Sequence, residues 1–246
     1  EISESLCGYE EENDEKEIST KASKWNPSAT IEAWDSVVNG YIPLQGVKVT
    51  VRRCTKSRSK MTDANGYCFF EAKFKKKANY GITWERAYWD IRCGSWQAYY
   101  NGPEKKGAWE LKISGQKSLM YATIHRALLT AFYGTWGGLY KPTASHCLKV
   151  RYLDKHDTAS YGYNICDWNW FGIKSNITIY GKWKNGRYRG THLIFGTVTH
   201  ELAHQSMLRL VDGRDNFKEY NDFIIESWAR CVQWKISTDH YRSLIN

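Results

Sequence analysis

The chain has 246 residues, enough for one large domain or two modest ones. Hydrophobic residues make up 42% and charged residues 25%, with 4 Pro against 19 Gly, which excludes global disorder and collagen-like architecture. Mean hydropathy is −0.62, and no apolar run approaches the roughly 18 residues of a membrane helix, so no transmembrane segment is expected. The net charge of +9 is uneven: the first 20 residues carry −7 and the remaining 226 carry +16. A basic body attracts anionic partners, but no helix-turn-helix, RNP-like or zinc-finger spacing accompanies it. Nucleic acid is therefore not the expected partner. Seven cysteines are scattered with no two placed three apart, which removes the Cys-x-x-Cys redox and zinc-ribbon readings.

Residues 1–28 are acidic, then polar, and read as a solvated tail. From Ala29 to about Cys93 the period is two. Ile31–Trp34, Val47–Arg52, Asn79–Trp84 and Trp89–Arg92 alternate apolar and polar residues as half-buried strands do. Asp63-Ala64-Asn65-Gly66 supplies turn chemistry before a returning strand at Tyr67-Cys68-Phe69-Phe70. Short strands at this spacing predict a β-sandwich over 29–93. Lys73, Lys75, Lys76 and Lys77 read as a solvated basic loop or an edge guard.

The run Pro43-Leu44-Gln45-Gly46-Val47-Lys48-Val49-Thr50-Val51, followed by Thr62-Asp63-Ala64-Asn65-Gly66-Tyr67, resembles the carboxypeptidase-regulatory-like, transthyretin-like sandwich modules. The resemblance covers about a quarter of the chain. It implies an accessory module and carries no chemistry.

Residues 94–116 read as a connection, with a Gly/Asn/Pro/Lys turn and a strand at Ala108–Ile113. Beyond Gly115 the period becomes helical. A helix apolar on all sides, and hence buried, is predicted from about Ser118 to Tyr133, ending near Gly134. Strands are expected at Cys147–Leu153 and Asn176–Tyr180, with an aromatic loop at 161–171 between them. Helices at about Thr191–Val211 and Phe217–Ile236 close the chain, so residues 117–246 form the second part of an α+β protein.

His200-Glu201-Leu202-Ala203-His204 is the strongest chemical signal. Residues four apart share a helix face, so both imidazoles can reach one cation. Glu201 is turned about 100° from His200, off the metal and toward water, where a carboxylate acts as general base. Two histidines and a glutamate amid Phe195, Val198 and Leu202 would be costly without a metal or other partners. Zn2+ is the expected cofactor. A metzincin continuation would need Gly and His where Met207 and Leu210 stand. The third ligand is sought on the next helix, at Glu226 in preference to Asp222, and Asp222 is left as an acceptor for a histidine N–H. Tyr161, Tyr163, His240 and Tyr241 are the candidates for an oxyanion donor, with no choice among them. Asn176–Tyr180 is the candidate sheet edge on which a peptide would lie, with an interior strand almost equally expected.

Over roughly residues 118–240 the chain resembles the gluzincins, zinc peptidases with a His-Glu-x-x-His helix and a glutamate ligand on a later helix. The resemblance implies a zincin-like domain: a backing helix, a small sheet, an active-site helix and a glutamate helix. By it, His200, His204 and Glu226 match the zinc ligands and Glu201 the general base. The family often has an Asp four residues after the glutamate, where this chain has Arg230. The activity implied is hydrolysis of peptide or protein substrates by an exported protein. The alternative is a surface-exposed protein that binds a protein or glycan, with a vestigial or structural zinc site.

Overall fold

The computed structural model describes residues 23–139, 141–142, 148–156, 162–165, 176–212, 216–217 and 219–245. Strand β1 (Ser28–Asp35) buries every second residue, Ala29, Ile31, Ala33 and Asp35, as its sequence alternation requires. It pairs in parallel with β10 (Trp109–Ile113) and antiparallel with β2 (Gly40–Pro43) and β5 (Tyr67–Phe69). A second antiparallel sheet runs in the order β4 (Lys56–Met61), β3 (Lys48–Arg53), β6 (Ala78–Thr83), β9 (Tyr99–Lys105). The two sheets close on one apolar layer. Ile31 and Ala33 from one side share it with Val49, Val51 and Ile82 from the other, and the Tyr80 and Trp109 rings meet at 5.5 Å. A β-sandwich is therefore formed by the chain itself.

The turn before β5 forms as its residues dictate. Asp63 Oδ1 accepts the N–H groups of Asn65 and Tyr67, both at 2.9 Å. Gly66 has φ +70°, and a Cβ there would sit 2.3 Å from the Ile31 carbonyl oxygen. Only glycine fits.

The sandwich does not end where the strand pattern suggested. β7 (Trp89–Cys93) and β8 (Trp96–Gln97) leave it and join a third sheet, ordered β12 (Gly162–Ile165), β13 (Asn176–Tyr180), β11 (Leu148–Leu153), β7, β8. β9 and β10, which fall in the stretch read as a connection, complete the sandwich instead. β9 escaped notice because Asn101-Gly102-Pro103 reads as a turn. Among the described residues it pairs only with β6, and an outer strand tolerates proline. β13 is not an edge: it pairs with β11 on one side and β12 on the other, and Ile177, Thr178 and Ile179 are buried. β12 lies antiparallel to β13 and is the outer strand of the described sheet.

Helix α1 (Gln116–Tyr133) lies between the sandwich and the third sheet and is buried around its circumference, as its composition required. Helix α2 (Thr191–Leu210) packs on α1, and helix α3 (Asp222–Ile245) packs on α2. α3 starts five residues later than expected because the Asn221 carboxamide oxygen accepts the Phe223 N–H at 2.8 Å. It runs nine residues further than Ile236 because its apolar contacts continue to the buried Tyr241. The mixed α+β class stands. No helix among the described residues is long and apolar enough to cross a membrane.

One buried ionic cluster joins the two halves. Asp35, at the end of β1, receives Arg126 of α1, the Thr191 hydroxyl of α2 at 3.0 Å and the Tyr241 hydroxyl of α3 at 3.4 Å. Its other oxygen accepts the N–H groups of Val37 and Val38 at 2.8 and 3.2 Å. Burial pushes the Asp35 carboxyl up, but Arg126 and these donors outweigh it and hold the group below its usual range.

Candidate metal centre

α2 is positioned by its first turn. Arg189, just before it, is buried and donates to the Tyr180 carbonyl at 3.2 Å and to the Thr197 hydroxyl at 2.8 Å. These contacts tie the helix start to the end of β13. Its middle then carries His200 and His204 one turn apart on one face, with ring centroids 4.9 Å apart and planes at 88°.

α3 supplies the third group. Ala229, Val232 and Ile236 are buried at helical spacing on the side that packs against α2. The Trp228 indole N–H donates to the Ala203 carbonyl and the Ser206 hydroxyl, both at 3.2 Å, and fixes the register. With that register set, the Glu226 carboxylate faces both imidazoles. Its oxygens lie 3.2 Å from His200 Nε2 and 3.5 Å from His204 Nε2. One ligand atom from each of the three residues falls within 4.8 Å of the others.

These donors suit a zinc-sized cation. Two imidazole nitrogens and a carboxylate oxygen form a donor set zinc commonly takes, and three protein ligands leave room for a further one. His200 turns its other nitrogen, Nδ1, to the Gln233 carboxamide oxygen at 3.2 Å, which leaves Nε2 pointing at Glu226. Burial, then the neighbouring His200, pushes His204 down to about 4 against the opposing pull of Glu226. A neutral imidazole at neutral pH is the form that binds metal. Glu201 is buried beside them, and burial, then the Glu226 charge, pushes its carboxyl up to about 8.

The structure thus brings together His200, His204 and Glu226, with Glu201 next to them. It leaves Asp222 exposed and outside the cluster, and the partner of the histidine N–H is Gln233 rather than Asp222. The readable signal for Gln233 was its place seven residues after Glu226, two turns along the same helix face. His240 and Tyr241 do not serve this site. His240 lies 14 residues beyond Glu226, about 21 Å along α3. Its ring stacks on Phe195 at 4.4 Å, and the Tyr241 hydroxyl is taken up by Asp35 and Arg126. Tyr163 lies on the β12 backbone, whereas Tyr161 and 166–171 of the aromatic loop lie outside the described residues.

The sequence matches no protein-family model and no curated protein. Among solved structures, the chain is similar to a Klebsiella pneumoniae 5-hydroxyisourate hydrolase at 20% identity and TM-score 0.24, over 36% of this chain and 84% of that one. It is similar to the shaft pilin SpaA of Lactobacillus rhamnosus GG at 15% identity and TM-score 0.22, over 37% of this chain and 50% of the pilin. A 9R-lipoxygenase from Cyanothece PCC8801 overlaps 81% of this chain and 26% of its own, at 13% identity and TM-score 0.23. With overlaps this loose, the fold is read from the chain's own strand pairing.

Proposed function

We propose that this protein is a zinc-dependent peptidase with a gluzincin-like site. The observation that carries the reading is the convergence of His200, His204 and Glu226, from two helices, within 4.8 Å. His200, His204 and Glu226 would hold the zinc, which when bound would supply a Lewis acid for a peptide carbonyl and for water. Gln233 holds the His200 ring in the orientation that presents Nε2. With a cation beside it to bring its raised carboxyl back down, Glu201 would take a proton from the attacking water and return it to the amide nitrogen as the C–N bond breaks. The backbone of β12, the outer strand, holds an extended peptide by adding it to the sheet.

The test combines metal analysis with a peptide-library digest. The expected result is one zinc per chain and cleavage by the wild type. Glu201→Gln retains the zinc and loses cleavage by about 100-fold or more. His204→Ala loses both. Undiminished turnover in Glu201→Gln sinks the mechanism, and a chain that takes up no zinc sinks the metal centre.

A further inference from the structure

The sandwich carries a charged feature that the metal centre does not use. Lys24, Arg53, Lys56, Lys73, Lys75 and Lys76 line an open cavity of about 660 Å³, with Phe74 as its apolar wall. No carboxylate among the described residues lines it. The basic side chains are not simply loose in solvent. Lys56 Nζ donates to the Lys73 carbonyl at 2.5 Å and lies 4.6 Å from the Phe74 ring centroid. Arg53 donates to the Lys77 carbonyl at 2.8 Å and pairs with Glu104 at 3.7 Å. Like charges gathered around one cavity repel each other, and an anionic occupant relieves that repulsion.

Where the chain enters the fold names the occupant. Trp25 and Phe74 exchange two backbone hydrogen bonds at 2.9 Å, and the Trp25 indole donates to the Lys76 carbonyl at 3.1 Å. The residue before Trp25 is Lys24, itself part of the cavity lining. The described chain therefore begins at the cavity mouth. Residues 10–17 hold Glu10, Glu11, Glu12, Asp14, Glu15 and Glu17 against a single Lys16. Glu17 precedes Lys24 by seven residues, a span of at most about 25 Å, which is short enough to keep the acids beside the cavity and long enough to turn back into it. A tether of this length gives an effective concentration on the order of millimolar, which favours an occupant from the same chain over a free one.

We propose that the acidic segment 10–17 docks into this cavity of its own chain, with its carboxylates on Lys56, Lys73, Lys75 and Lys76. The sandwich is then an anion-binding module for acidic peptide, held occupied in cis.

Carbodiimide coupling of the full chain tests this, because the reagent condenses a carboxylate and a lysine amine already in contact. Mass spectrometry of the digest is expected to find acids of 10–17 joined to Lys56, Lys73, Lys75 or Lys76. A mixture of isotopically light and heavy chains should give links within one chain only. The yield should fall sharply in about 0.5 M salt, where the screening length is only about 4 Å. Binding of a poly-glutamate peptide supplies a second readout. A variant with the six acids changed to Gln or Asn should bind it about tenfold more tightly than wild type, since the internal competitor is gone. Lys75→Glu with Lys76→Glu, both at exposed positions, should lose the crosslinks and the peptide binding together. Links spread evenly over distant lysines such as Lys112 and Lys149, or links between chains, overturn the proposal. Equal poly-glutamate affinity with and without the six acids also overturns it, and would make an external polyanion the occupant.

Discussion

Two carboxylates at the faces of α2 have opposite surroundings. Asp35 is fully buried, and five donors converge on it: two backbone N–H groups, two hydroxyls and the Arg126 guanidinium. Glu226 is half exposed and faces two imidazole nitrogens, one of them held neutral at ordinary pH. The first carboxylate is enclosed by donors, whereas the second meets only two imidazole nitrogens among the described residues. A saturated buried carboxylate pins elements together, because removing any partner strands a charge. A carboxylate set against two imidazole nitrogens and half open to solvent is placed to share a cation with them. The same residue class thus pins elements together in one place and, on the function proposed above, is left to hold a cation in the other.

Changes at the two sites should therefore act on different observables. Arg126→Met is expected to lower the unfolding free energy by about 3–5 kcal/mol in urea denaturation while leaving zinc affinity in the surviving folded chain unchanged. Glu226→Ala should do the reverse. It should change the metal-free stability by under about 1 kcal/mol, because the pair is solvent-screened, yet remove the rise in Tm expected on adding zinc. A large stability loss in metal-free Glu226→Ala would erase the contrast.

A buried histidine outside both clusters adds a pH test. His125 donates toward the Gln45 carbonyl at 2.9 Å between the Trp84 and Trp89 rings, and burial pushes it down to about 4. A group depressed below its unfolded value near 6.5 binds its proton in the unfolded chain first, so stability rises with pH across this window. The His125 contribution should be intact above pH 6.5 and fall by roughly 3 kcal/mol on acidification to about 4. His125→Gln should flatten the profile by that amount, and an unchanged slope would mean that His125 stays accessible to protons in the fold.

Gln233→Ala is expected to weaken zinc affinity by about 10–100-fold, as loss of a partner behind a ligand usually does. Asp222→Ala, one turn before Glu226, should leave it unchanged, and isothermal titration separates the two. Gly196→Ala should give a smaller loss than Gln233→Ala. A Cβ there would stand 2.8 Å from the Gln233 amide nitrogen, and that amide can shift by a few tenths of an ångström. A several-fold loss of affinity with little change in Tm is the expected outcome.

Much of this was legible in the sequence because it is local. The heptad-scale apolar spacing of 191–210 dictates a helix, and the helix puts His200 and His204 on one face with Glu201 beside them. The all-round apolar character of 116–133 dictates a buried helix, and Asp63 to Gly66 dictates its turn through backbone sterics. The sequence also narrowed the third acidic group to two residues one turn apart. Only the packing of α3 on α2, set by Trp228 and the buried Ala229–Val232–Ile236 stripe, brought Glu226 to the imidazoles and left Asp222 exposed. The same packing placed Gln233 behind His200, where Asp222 had been left as an acceptor for a histidine N–H. Sheet membership was likewise a tertiary decision. β7 has the alternation of a sandwich strand, but its partner β11 lies more than fifty residues away, and period alone does not name a distant partner. Backbone geometry within a few residues is written in the residues themselves, whereas partners across the chain are chosen by which apolar faces close together.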